Sequence, residues 1–226
     1  LADSVKQLTY PPELWETFLT KWLVGAVAGI FPGFFNILQL VLYGKQNIGK
    51  SEFFERLIPA GLKEYFTANQ LEGNEAERLM CEFWIIFDDE YGGKSKVDSK
   101  RLKYLLSQRH FTYRIPYNKH PVKADRIASL CGSTNEAEIL ADTTGNRRVI
   151  PVNVEARDYQ AFDAIDKAAV WLEAYQLLCN GYSYELTKPE IQALNEATGE
   201  FERFSTEYEL ICKYLEPAST STDAEL

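Results

Sequence analysis

Gly44-Lys45-Gln46-Asn47-Ile48-Gly49-Lys50-Ser51 matches the spacing G-x-x-x-x-G-K-[ST] at every fixed position. These residue types suit one chemistry. Glycines let the backbone curl until successive N–H groups face a chain of phosphates. A lysine then reaches the β- and γ-phosphates, and a serine hydroxyl ligates Mg²⁺. Gly44 through Ser51, with Glu52 behind them, are therefore candidate ligands of a nucleotide, and Ser51 of its magnesium.

Such a loop needs carboxylates from a second strand. Trp84-Ile85-Ile86-Phe87-Asp88-Asp89-Glu90 supplies them, because its apolar residues bury a strand and leave acids at its carboxyl end, where ligands bind in open α/β sheets. One acid completes the magnesium shell and the next orients the attacking water. Asp88 for magnesium and Asp89 for water is the first assignment; a shift of one residue gives Asp89 and Glu90. Leu130-Cys131-Gly132-Ser133-Thr134-Asn135 is an apolar strand ending in an amide that can hydrogen-bond a γ-phosphate or the attacking water. Gly145-Asn146-Arg147-Arg148 adds an arginine pair suited to stabilise transition-state charge, a role worth ~10³–10⁵ in rate. It also suits a solvated face.

Elements must hold these residues in place. Ile37 to Tyr43 is a nearly unbroken apolar run of strand length, as in a parallel strand buried on both faces. Glu52 to Ile58 reads as a helix whose N-terminus would hold phosphate. Pro11-Pro12 and Glu13 open a helix with Leu14, Trp15, Phe18, Trp22 and Val24 on its apolar side, predicted to be a lid or side helix packed on the core. Asn74 to Cys81 reads as a short helix capped by Asn74, and Phe83 to Phe87 as a second core strand. Lys100 to Gln108 is helical, and Phe111 to Lys123, interrupted by Pro116 and Pro121, predicts two short strands around a turn. Ile127 to Cys131 and Arg148 to Val154 are further strands. Phe162, Ile165, Ala169 and Leu172 form a helical stripe predicted to face the core. Thr187-Lys188-Pro189-Glu190 is a capping box with proline in the first turn. Alternating strands and helices predict α/β with a mainly parallel sheet flanked by helices. The chain divides into an N-terminal helical segment (1–36), a core (37–155), a C-terminal helical part (156–216) and a polar tail or linker (217–226).

Bulk properties narrow the setting. A chain of 226 residues, 46% hydrophobic, can bury one full core. It opens on Leu1 and holds only one methionine, Met80, which predicts a segment of a longer protein with other domains. Cys81, Cys131, Cys179 and Cys212 are dispersed, with no C-x-x-C pair. That points to reduced thiols in a cytoplasmic protein. Trp22 to Tyr43 carries no charged side chain, but Pro32-Gly33 interrupts it and Asn36 and Gln39 follow, so it reads as a core helix ending near Ile30, a turn and a strand, with no membrane span. The net charge is −9, yet between Lys94 and Arg126 stand ten basic residues (Lys94, Lys96, Lys100, Arg101, Lys103, Arg109, Arg114, Lys119, Lys123, Arg126) against Asp98 and Asp125 alone. A local basic island on an acidic body fits a restricted phosphate-contacting surface, as well as a solvated helix face.

The order of these parts resembles the superfamily 3 helicases within the AAA+ P-loop ATPases, and most closely the virulence-associated protein E family of phage, plasmid and genomic-island replication proteins. "GKQNIGKS", "TYRIPYNKHPVKADR" and "GSTNEAEILADTTGNRR" carry the likeness, which runs from about Trp22 to Val154, with a weaker helical likeness to about Tyr214. The resemblance implies ATP and Mg²⁺ at Lys50 and Ser51, Asp88 and Asp89 as the acidic pair, Asn135 as sensor, and Arg147 or Arg148 as fingers acting on a neighbouring subunit. It further implies a homo-oligomeric ring, commonly a hexamer, with Arg114, Tyr117, Lys119 and His120 on a hairpin touching single-stranded DNA. The run Asp88-Asp89-Glu90 departs from the family by blurring the catalytic position. A P-loop small-molecule kinase would share the loop but need neither the arginine pair nor the hairpin. A nucleotide-dependent regulatory or assembly module would bind without turnover.

Overall fold

The computed structural model describes residues 1–71, 75–91, 96–115, 119–137, 139–140 and 146–201. Strands β1 (Val5–Gln7), β2 (Gln39–Tyr43), β3 (Phe66–Ala68), β4 (Ile85–Asp88), β7 (Ser129–Thr134) and β8 (Val149–Arg157) form one sheet in the order β1-β8-β2-β7-β4-β3. From β8 to β3 all neighbours are parallel, and β1 lies antiparallel on the edge of β8. The fold is mixed α/β with a mostly parallel sheet flanked by helices. β2 is central, and its two neighbours come from much later in the chain.

Strand periodicity explains the burial on both faces. Leu40 and Leu42 join a large core with α1 (Pro12–Ala28), α2 (Lys50–Leu57) and α6 (Lys167–Cys179), whereas Val41 between them packs with Tyr91, Ile139 and Leu140. In β4, Ile85 and Phe87 face the large core. Ile86 turns to a second cluster with Leu79 and Met80 of α3 (Ala76–Glu82) and Leu105 and Leu106 of α4 (Lys96–Ser107).

α1 is a core layer and not a lid, because almost every residue from Trp15 to Ala28 is buried. Tryptophans tie α1 and α6 to their neighbours. The Trp22 indole donates to the Leu130 carbonyl at 3.0 Å, Trp84 to Ala26 at 2.8 Å and Trp171 to Leu57 at 3.0 Å. Large apolar bodies thus enter the core with their one polar group satisfied. α1 stops at Gly29, before Pro32. Among the described residues no helix is long and apolar enough to cross a membrane.

Several boundaries differ from the sequence expectation for identifiable reasons. β4 starts at Ile85 because the Phe83 N–H still bonds the Leu79 carbonyl of α3. β7 starts at Ser129 because the N–H groups of Ile127 and Ala128 both go to the Met80 carbonyl. The stripe from Phe162 to Leu172 is not continuous. α5 (Tyr159–Ala164) ends at Ile165, and Asp166 caps α6 by accepting from the Ala168 N–H, which resets the helical phase. Phe162 is buried, but Leu172 is exposed and Trp171 and Ala174 take the core positions. β1 and β3 are too short to carry a period of two, and neither was expected. At α7 (Lys188–Ala197) the capping box of Thr187 and Glu190 forms in full. Asn74 and the tail 217–226 lie outside the described residues.

Arg126 corrects the count of the basic island. It is almost fully buried and donates to the carbonyls of Leu106 (2.6 Å), Leu105 (3.4 Å), Ala128 (3.2 Å) and Asn36. It caps the end of α4 and ties it to the turn before β2, and burial lowers its guanidinium to about 9. Arg126→Met keeps the apolar stem but orphans these carbonyls, so the folded state is expected to lose about 2–4 kcal/mol. The check is a lower urea midpoint at unchanged slope.

Candidate functional site

The carboxyl ends of β2, β4, β7 and β8 share one edge of the sheet, and the loop after β2 leads directly into α2. Gly44 has φ +150°, and a Cβ there would lie 2.5 Å from the Val154 carbonyl. Gly49, the residue before α2, has φ +82°. Both positions therefore require glycine for backbone reasons. Lys50 opens the helix, two residues earlier than the expected Glu52. Its ammonium donates to the carbonyls of Gly44 (2.9 Å) and Lys45 (2.8 Å) and to Asn135 Oδ1 (2.8 Å). Burial pushes its pKa down and Asp89 pulls the other way, with burial the larger effect. Lys45, Gln46 and Asn47 are exposed on the rim, while Ile48 is half-buried and packs against the core.

The carboxylate beside the loop is Asp89. Its Oδ1 accepts from Ser51 Oγ at 2.6 Å and Ser133 Oγ at 2.8 Å. Asp88, the first choice for magnesium, is the last residue of β4 and buried there. Its Oδ1 accepts from the Glu90 N–H at 3.3 Å, a local turn that swings Asp89 back toward Ser51. The geometry thus places Asp89 beside Ser51. Glu90 is exposed and near Gln70, whose amide donates to it at 3.2 Å. Ser51 and Asp89 offer a hydroxyl and a carboxylate, which suit Mg²⁺ held jointly with phosphate oxygens and water. Among the described residues no group of three or more His, Cys, Asp or Glu is placed to hold a metal alone. Asp89→Asn is expected to lower nucleotide turnover by roughly 10²-fold or more. Asp88→Asn should have a smaller effect on turnover, and steady-state rates of the two variants at saturating magnesium separate them.

Arg157, at the end of β8, was not anticipated. Its Nη1 donates to the Gly49 carbonyl at 2.9 Å and its Nη2 to Glu52 Oε2 at 3.1 Å. Glu52 also accepts from Arg56 at 2.9 Å, so both oxygens of its carboxylate are engaged by arginines. No motif surrounds Arg157. The expected strand ended at Val154, so the place of Arg157 beside the loop comes from the longer β8 and the strand order alone.

Arg147 and Arg148 lie at the opposite edge. Gln39, the first residue of β2, donates its N–H to the Arg148 carbonyl and pairs with Val149, whereas the loop follows Tyr43. About 13 Å of strand separates them from the start of the loop. Arg147 is exposed, and Arg148 Nη2 is 3.4 Å from Ser107 Oγ. β5 (His110–Tyr113) and β6 (Val122–Asp125) form a separate antiparallel hairpin that leads into the amino end of β7. Arg114, Lys119 and His120 are exposed at its far end, while Tyr117 is outside the described residues. Near its base His110 Nδ1 is 3.1 Å from Asp125.

Fold and site together define a mixed α/β protein with a glycine-built loop at the carboxyl edge of a mostly parallel sheet. Residues 7–203 match the virulence-associated protein E-like domain, and the chain belongs to that family. Similar solved structures include the A-form apo structure of the NrS-1 C-terminal region (305–718), at 13% identity and TM-score 0.47 over 89% of this chain and 52% of that one. An apo structure of the same region has 14% identity and TM-score 0.45, covering 96% and 55%. The chain spans about half the length of these structures. No match is found among curated proteins.

Proposed function

We propose that the chain is the ATP-hydrolysing motor of a replication protein of a mobile genetic element, an AAA+-type P-loop ATPase of the superfamily 3 helicases that works as a homo-hexameric ring on single-stranded DNA. The observation that carries this reading is the convergence at one sheet edge of Lys50, clamped by two loop carbonyls and Asn135, with Ser51 bonded to Asp89. In this reading Lys50 leaves those acceptors for the β- and γ-phosphates. Asn135 is thereby released to bond the γ-phosphate or the attacking water, so its hydrogen bond reports which nucleotide is bound. Mg²⁺, held by Ser51 with Asp89, neutralises phosphate charge when present. Glu90 orients the water.

The arginine pair supports a ring. Neither residue lies near the chain's own loop, so a catalytic arginine from this pair can serve only a neighbour's loop. A head-to-tail interface that closes into a ring provides that arrangement. On the hairpin, Arg114, Lys119 and His120 follow DNA phosphates and Tyr117 stacks on a base.

The test is ATPase rate against protein concentration, with and without single-stranded DNA, at low and moderate salt. Specific activity is expected to rise cooperatively with concentration, to increase with DNA and to lose that increase as salt rises. A flat specific activity indifferent to DNA would replace the motor with a self-contained ATPase.

A further inference from the structure

The strand order gives the phosphate loop two unlike flanks. β7 and β4, which carry Asn135 and Asp89, lie on one side of β2, and β8 lies on the other. Lys50 and Ser51 address the first flank through their bonds to Asn135 and Asp89. A triphosphate whose terminal groups meet those residues carries its nucleoside out over the second flank. There β8 ends at Arg157 and the chain enters α5 with Tyr159.

That flank holds an aromatic ring fixed to the loop. The Arg157 side chain is 2% exposed, with two nitrogens bonded to Gly49 and Glu52, while its Nε is buried without a hydrogen-bond partner. Its guanidinium lies 4.1 Å from the centroid of the Tyr159 ring. The Tyr159 hydroxyl crowds Gly49, where a Cβ would come within 2.5 Å of it. Tyr159 nevertheless remains 40% exposed. A ring held against a pinned cation and the loop, with part of its surface exposed, has less side-chain freedom to lose, which removes part of the cost of stacking a ligand on it.

We infer that Tyr159 is the platform on which the purine base of the bound nucleotide stacks, with Arg157 as the positioning residue that holds the ring against the loop. This rests on the phosphate-loop reading above. Stacking uses the π-face that every base has, so the platform favours a nucleotide over bare phosphates and discriminates weakly between ATP and GTP.

Titration calorimetry of the full chain with ATP, GTP and inorganic tripolyphosphate tests it, using wild type, Tyr159→Phe and Tyr159→Leu. Leucine fills the space without a π-face, and phenylalanine keeps the ring. Wild type is expected to bind ATP and GTP alike and more tightly than tripolyphosphate. Tyr159→Leu should weaken ATP by roughly five- to a hundredfold and leave tripolyphosphate unchanged. Tyr159→Phe should stay close to wild type. Unchanged ATP affinity in Tyr159→Leu overturns the platform while the phosphate loop stands. Equal losses for ATP and tripolyphosphate also overturn it, because the tyrosine would then only prop the loop. Wild type that binds neither ligand overturns the platform and the phosphate-loop reading together.

Discussion

Arg147→Ala or Arg148→Ala is expected to cut ATP turnover by ~10³–10⁵ while leaving ATP affinity close to wild type. Binding survives because both residues sit at the amino edge of β8 and neither contacts the chain's own loop. In the proposed ring, turnover would fail because transition-state charge on a neighbour's γ-phosphate would lose its counter-charge. One of the two should have the larger effect, since a single guanidinium would insert. Mixing makes the test specific. Lys50→Ala subunits keep working arginines, and arginine variants keep working loops, so a mixed ring contains some complete sites. At equal mixing up to about a quarter of the sites regain both parts if subunits assemble at random around a ring. Two inactive preparations that recover activity on mixing would establish action between subunits. Arginine variants that hydrolyse normally as dilute monomers would remove the ring mechanism.

Lys50→Ala is expected to abolish turnover, by at least ~10²–10³, on loss of the cation facing the transferring phosphoryl group. Here binding should fall as well. A ligand that binds only the folded state at a hundred times its Kd adds about 2.7 kcal/mol of stability. Urea unfolding with and without ATP and magnesium should show a gain of that size in wild type and little in Lys50→Ala. The variant's stability without nucleotide should fall by about 1–3 kcal/mol, because Asn135 is exposed and regains water while the Gly44 carbonyl, bonded to Lys50 in a buried position, loses its donor. A variant that keeps the full nucleotide-dependent gain would remove Lys50 from the phosphate site.

The arginine variants and Lys50→Ala probe opposite edges of one sheet, and that opposition is invisible in the linear order. Arg147 and Arg148 stand at the start of the last strand, as the sequence says. That this strand lies directly beside β2, parallel to it, follows only from the pairing of Gln39 with Val149 across more than a hundred residues. Parallel pairing sends all amino ends to one edge and all carboxyl ends to the other. The loop and the arginine pair are therefore kept apart within one chain.

Local chemistry was legible in the sequence by itself. The glycines of the loop, the apolar run of β2, the capping box at Thr187 and the two short strands around a turn each depend on dihedral preference or periodicity over a few residues. Those preferences are written in the residues concerned. Tertiary structure alone decided which acid meets Ser51, because that depends on how the turn after β4 folds against the end of β7. It also turned Arg126 from a surface cation into a buried cap of four carbonyls, and it brought Arg157 under the loop across 108 residues to Gly49. In each case the deciding contact joins strand ends or helix ends that are distant in sequence. Periodicity carries a residue's face but not the identity of its neighbour, which is set by strand order and register.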